Sequence, residues 1–492
     1  MSPATLSRLA VAGNRTDVLR TVLTALSSGL AVVALLAAAT VISITGWADR
    51  YSNPLLVEDG LRPGVMATLV LVSLPVLALA GQCIRLGAPA RDRRLAALRL
   101  AGATPRESVL IATAETAVAS LLGSVLGLVA YLIGREVLTR RDALGRLLLP
   151  TDVLPHPAAI VPIVLVVPLL AALIGALLMR RVIVTPLGVV RRTRDRGPRP
   201  WPGLLIAAGL VLFGIPVSWE RVHTMPRALF YSLLTAGVVL TMAGVVLGTG
   251  WISHTAGRLL RRYGRGPATL LAGQRLITDP WNGSRTMAGL LAAVIVGAGV
   301  LGYRANLATT FRAYDLFNQA MGERDGSGIS AGDEPGFYFG AIRLIMIAIA
   351  VSAAVAAAGV LVALAESIVA RRRTFAALTA TGVPRRTLAA AVLWQTLAPL
   401  VPAILLGLAV GNALARLIET RVTVGGYETC IGEDGTTACV SQVVPRIELA
   451  VPIPWAHLSL LGGGVLLTVL VAVGAGLLVL RSSTDLEELR AG

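Results

Sequence analysis

Three charged side chains stand where a chain rarely puts them: Glu115, Arg343 and Glu366 each fall inside a long apolar run. In a bilayer such a charge costs about 2.5–3.5 kcal/mol on insertion scales, so it faces protein or water and often marks function. Glu115 sits about two turns into its run, where it can make an inter-helix hydrogen bond or meet a substrate. Glu366 lies near the end of its run, within reach of Arg371 or Arg373. Arg343 is near the opposite end of the same run, where its head can snorkel to water.

Other chemistry is sparse. All 44 basic residues are Arg. A Walker A loop needs a Lys to reach the phosphates of a nucleotide, so this chain cannot build one. His156, His223, His254 and His457 fall near the ends of apolar runs and show no metal-ligand spacing. No catalytic, cofactor-binding or metal site is expected. Cys83 reads as a small buried residue. Cys430 and Cys439 share one loop, "GGYETCIGEDGTTACVSQ", and predict a disulfide hairpin. Closing so short a loop stabilises it by about 3 kcal/mol in the chain-entropy model. A metal at this pair would need further ligands, and the loop has no His.

The elements that position these residues follow from composition. Hydrophobic residues make up 55% of the chain, charged residues 14%, and the mean hydropathy is +0.75. Soluble chains carry about 25% charge. The apolar residues gather into runs of about twenty, the length that crosses a bilayer as a helix. Ten spans are predicted: 21–46, 63–84, 108–133, 157–179, 201–219, 229–252, 287–303, 338–368, 388–415 and 457–480. With the N-terminus inside, 29 Arg fall in inner segments and 14 in outer ones. This asymmetry predicts a plasma-membrane protein with both termini cytoplasmic. The same clustering explains the net charge of +17 without nucleic acid. Segment 134–156, with four Arg outside, is the local exception. The first run is longer than a signal h-region and reads as an uncleaved anchor. The two longest outer segments, 304–337 and 416–456, are acidic and read as solvated loops.

The chain also repeats itself. "LAVAGNRTDVLRT" opens the first span and "LLAGQRLITDPWNGSRT" the seventh. Leu95, Leu98 and Gly102 recur as Phe375, Leu378 and Gly382, a constant offset of 280. Glu115-Thr116 recurs as Gln395-Thr396 at that offset, and Gly127-Leu128 as Gly407-Leu408. The expected fold is therefore an all-α integral membrane protein of about ten helices. It comprises two parallel four-helix repeats, spans 1–4 and 7–10, with two inserted spans. The domains are 1–195, 196–254 and 255–492. Each repeat starts inside, so the axis relating them runs along the membrane normal.

The segment between the second and third spans of each repeat carries the pattern of a docking element. In "RRLAALRLAGATPRE", Leu95, Leu98 and Gly102 form one helical stripe. Gly102 is a natural helix stop. Thr104, Pro105 and Glu107 then compose a capping box that starts the next helix. Phe375, Leu378, Gly382 and Pro384 repeat the design without the box. An amphipathic linker lying on lipid headgroups is one reading. Repetition favours another: paired helices that dock on a two-fold cytoplasmic partner. Their stripes supply apolar knobs, and Arg93, Arg94, Arg99, Arg372 and Arg373 the rim.

"RRLAALRLAGATPRESVL" with "AETAVASLLGSVLGL" resembles the FtsX-like permease motif of ABC transporters, of the MacB-type architecture; "RRTFAALTATGVPRRTL" resembles it again. "MRRVIVTPLGVVRR" and "LRSSTDLEELRAG" are similar to the ends of such modules. The layout of ten spans is similar to the BceB branch, whose members handle peptide antibiotics. It lacks that branch's large extracellular domain between the seventh and eighth spans. It also lacks MacB's large domain between the first and second. The resemblance implies that the two segments are coupling helices seated on a separate ABC ATPase dimer, which holds the ATP and Mg. It implies a permease that exports or extracts a hydrophobic or amphipathic compound such as an antibiotic, peptide or lipid. A mechanotransmitter signalling to an outside enzyme or a sensor kinase is the alternative. An ion-coupled secondary transporter is disfavoured by the few charges in the spans.

The topology is testable directly. In a Cys-free variant, single cysteines at residue 145 or 330 should react with an impermeant thiol reagent from outside, and ones at 95 or 378 should not. Labelling at 378 in intact cells would rule out the ten-span arrangement.

Overall fold

A computed structural model of the chain describes residues 15–45, 49–57, 62–83, 104–183, 197–220, 226–320, 335–370, 372–426, 428–431, 440–443 and 445–482. The architecture is that of an all-α integral membrane protein. Helices α1 (Arg15–Ile42), α2 (Pro54–Val57), α3 (Arg62–Cys83), α4 (Pro105–Val137) and α5 (Pro157–Ile183) come first. Then come α6 (Pro202–Glu220), α7 (Arg227–Tyr263), α8 (Pro267–Thr278) and α9 (Pro280–Ala320). The last helices are α10 (Pro335–Ala370), α11 (Arg372–Ala380), α12 (Arg385–Ile418) and α13 (Trp455–Ser482). Among the described residues nine helices are long and apolar enough to cross a membrane, and Pro202–Ser218 is a shorter apolar helix.

Helix starts and crossings follow the sequence offsets. α4 begins at Pro105 and α12 at Arg385, which is 280 residues on. α4 packs on α1, and α12 on α9. A Cβ on Gly127 would lie 2.5 Å from the Gly29 carbonyl oxygen, so no larger residue fits where these backbones cross. A Cβ on Gly407 would meet Val294 Cγ1 at 3.2 Å, the corresponding crossing in the second set. Close approach through small residues is how helices gain contact in lipid, where no hydrophobic effect drives them together. The two sets meet chiefly through α3 and α10, the second spans of each. The fourth spans differ: α5 runs chiefly along α4, but α13 along α10.

The inserted helices sit on one set only. α7 packs on α8, α9 and α12, and α6 on α7 and α12. Phe213, Val245 and Ile252 from this pair join the core that holds Met287, Leu291 and Ile295 of α9. Those three are 3%, 0% and 1% exposed. The residues at the same register on α1 are Val22, Leu26 and Leu30, which are 48%, 59% and 55% exposed. The lateral face that α7 covers on α9 is therefore open on α1.

At the end away from the Arg-rich segments, the first set is tied by buried polar contacts. Arg62, only 4% exposed, donates to the carbonyls of Ile44, Leu56 and Val57 at 2.8–3.0 Å. Tyr51 donates to Asp152 at 2.6 Å, and Arg50 pairs with the same carboxylate at 2.7 Å. Three of the four Arg of segment 134–156 make local contacts. Arg135 donates to the Thr151 carbonyl, Arg141 to that of Gly145, and Arg146 pairs with Asp142.

The segment after α12 departs from the solvated-loop expectation. Strands β1 (Arg421–Val424) and β4 (Ile447–Ala450) pair antiparallel, as do β2 (Glu428–Ile431) and β3 (Val440–Val443). Val422 and Val424 bury against Ala313 and Phe317 on the long outer extension of α9. Alternation in "RVTV" carries the strand signal. Cys430 lies in β2, opposite Ser441 in the backbone register. Cys439 lies outside the described residues, immediately before β3. The expected Cys430–Cys439 disulfide is checked by intact mass, which should be two protons below that of the reduced chain. Alkylation of both thiols without reductant would contradict it.

Candidate coupling site

The site is built at the Arg-rich end, where helices enter the spans. Thr104 caps α4: its Oγ1 accepts from the Glu107 amide at 3.3 Å, and Glu107 Oε2 accepts from the Thr104 amide at 2.8 Å. Pro105 opens the helix, so the capping box expected from sequence is formed. The Thr104 amide, then its hydroxyl, hold the exposed Glu107 carboxyl below its ordinary pKa. A depressed carboxyl stabilises above its unfolded pKa, so this cap weakens as pH falls through the carboxylate range. Arg93, Arg94, Leu95, Leu98, Arg99 and Gly102 lie outside the described residues.

The second copy forms α11. It ends in a Schellman motif: the Val383 amide donates to the Leu378 carbonyl and the Gly382 amide to that of Thr379, both at 3.0 Å. Gly382 has φ +89°, a left-handed conformation that favours glycine. Pro384 is the N-cap residue of α12 and supplies no side-chain cap, as its sequence predicts. Arg372 and Arg373 lie in the first turn of α11; their side chains are outside the described ones.

The apolar stripe of α11 is turned inward. Phe375 is 2% exposed and packs with Ile368, Leu388 and Val392. Leu378 is half-buried against that cluster, together with Val383. The physical reason is length. A helix of nine residues is unstable alone in water and must bury its stripe on its own spans. Thr374, Ala377, Ala380 and Thr381 remain exposed. These are the residues a partner can meet, and sequence reasoning had assigned that role to Leu378.

In the first set, α1 and α4 are joined by an ion pair. Arg20 Nη2 of α1 is 2.9 Å from Glu115 Oε2 of α4, with side chains 5% and 12% exposed. It ties the two helices that cross at Gly29 and Gly127. Sequence reasoning identified Glu115 but missed Arg20, which stood at the edge of a span and was counted among topological Arg. The signal was present: both openings of the repeats end in Arg-Thr. Gln395, half-buried on α12, stands where Glu115 stands on α4. Arg343 is exposed on α10. Glu366 is half-buried on α10; Arg371 and the Arg373 side chain, its expected partners, are outside those described.

Residues 346–484, which span most of α10 and all of α11, α12 and the strands to the end of α13, match the family described as FtsX-like permease C-terminal. Over that stretch the chain is similar to FtsX-like permeases, and its apolar helices make it a multi-pass membrane protein. FtsX-like permeases typically work with an ATPase partner. No curated protein and no solved structure matches the chain.

The buried pair gives a stability prediction. Removing one partner leaves an uncompensated charge and costs about 3–5 kcal/mol. Glu115→Ala and Arg20→Ala should each lower resistance to unfolding in detergent by that order. The double variant Arg20→Ala/Glu115→Ala should lose less than the sum of the two single changes. Additive losses in the double-mutant cycle would show that the two charges do not act as a pair.

Proposed function

We propose that this chain is the transmembrane subunit of an ATP-driven transporter whose ATPase is a separate polypeptide. The ATPase subunits bind as a dimer and hold the ATP and Mg. Residues 1–195 and 255–492 act as the two moving repeats, with 196–254 between them and both termini in the cytoplasm. The observation that carries the reading is the seat of α11. A short helix stapled to the entrance of a span, with Thr374, Ala377 and Ala380 left open, is suited to receive a push from outside the bilayer. Segment 93–102 plays the same part in the first repeat.

ATP binding closes the ATPase dimer, moves both coupling elements, and shifts the spans between two arrangements. Driving such an equilibrium from 1:99 to 99:1 takes about 5.5 kcal/mol of differential binding. Two docked elements share that load. The cargo is a hydrophobic or amphipathic compound such as an antibiotic, peptide or lipid, exported or extracted from the membrane. The apolar, nearly charge-free spans favour such a cargo over an ion. The strands seated on the α9 extension favour a second reading, in which the outer module relays motion to an external enzyme or sensor kinase without cargo.

Ala377→Asp tests the docking. A carboxylate forced into an apolar contact must be desolvated. Binding of a co-expressed ABC ATPase should fall at least tenfold, equivalent to about 1.4 kcal/mol. The permease should remain folded, because Ala377 contributes to the open face. Wild-type binding and stimulated hydrolysis would refute the coupling role. Cargo-stimulated hydrolysis and flux in liposomes would separate the transporter from the relay.

A further inference from the structure

The helix α8 stands between the inserted pair and the coupling element. Its face bearing Ala272, Gly273 and Leu276 is buried. At Gly273 it closes on α7: a Cβ there would lie 2.9 Å from the Gly257 carbonyl oxygen, and one on Gly257 equally close to that of Gly273. Beside this face, the guanidinium of Arg275 lies over the Phe375 ring, 4.8 Å from its centroid. Phe375 is the buried anchor of α11. A cation over an aromatic face is attracted by the ring quadrupole, most strongly where water is excluded. The first repeat has Arg15 in the matching Ala-Gly-Asn-Arg run, but Leu95 where Phe375 stands. An aliphatic side chain offers no such face, so this contact belongs to one repeat only.

We infer that Arg275 is a positioning residue for coupling. It locks α11 to α8 and, through the Gly257–Gly273 contact, to the inserted pair. α11, α8, α7 and α9 then move as one body in the second repeat. Among the described residues of the first repeat, Val22, Leu26 and Leu30 of α1 stay exposed where α9 is covered. The role in coupling rests on the proposed function; the clamp itself does not.

The test uses the full chain with its cysteines replaced. Spin labels go on Gln274→Cys and Ala377→Cys, both exposed positions on α8 and α11. Their distance distribution should be narrow with Arg275 in place. Arg275→Gln and Phe375→Leu should each widen it at least twofold, while Arg275→Lys, which keeps a cation, should stay near the starting width. With a co-expressed ABC ATPase, Arg275→Gln should bind within twofold of wild type, because the open face of α11 is intact. Its permease-stimulated hydrolysis should fall at least tenfold. An unchanged distribution in Arg275→Gln, or wild-type stimulation, overturns the inference. Should Arg275→Gln fail to fold, Arg275→Lys and Phe375→Leu decide: equal widths in these two overturn the clamp. Should the wild-type chain bind no ATPase, the proposed function fails, and the distance distributions still decide the clamp.

Discussion

A nine-residue helix has no lasting stability of its own in water, so α11 exists only because Phe375 is buried among Ile368, Leu388 and Val392. That burial fixes what the helix can offer. The stripe is spent on the seat, and small residues remain for a partner. The Schellman turn at Gly382 then aims the chain straight into α12. Only Thr381, Gly382, Val383 and Pro384 separate α11 from α12.

The same economy shapes the membrane part. α1 meets α4, and α9 meets α12, through glycine crossings that leave no room for a side chain. In the first repeat the Arg20–Glu115 pair reinforces the crossing. In the second, where Gln395 replaces the acid, the inserted pair covers the outer face of α9 instead. The two sets of helices are thus braced differently. The different seats of α5 and α13 point the same way.

Much of this was legible in the sequence. Apolar run length set the spans, and the constant offset of 280 set the matching helix starts of α4 and α12. The box at Thr104, Pro105 and Glu107 and the stop at Gly382 follow from residue type alone. What was not legible was direction. Periodicity shows that Leu378 and Phe375 share a face, but not whether that face meets a partner or the chain itself. Arg20 hid for a related reason: a basic residue at a span edge satisfies the topology rule whether or not it has a buried partner. The strands after α12 were obscured by their shortness and by the Gly-rich, acidic stretch between them. The break that makes α8 a separate helix falls at Asp279-Pro280, within a segment that had read as the plain opening of a span.

The central claim is that the open face of α11 is where force enters. The direct measurement is thiol protection at Ala377→Cys in an otherwise Cys-free chain, with and without bound ABC ATPase. A water-soluble maleimide should label this position readily in the permease alone and at least tenfold more slowly in the complex. A control cysteine at Gln274, on the exposed face of α8, should change far less. Equal labelling of the Ala377 position in free permease and complex would contradict the account.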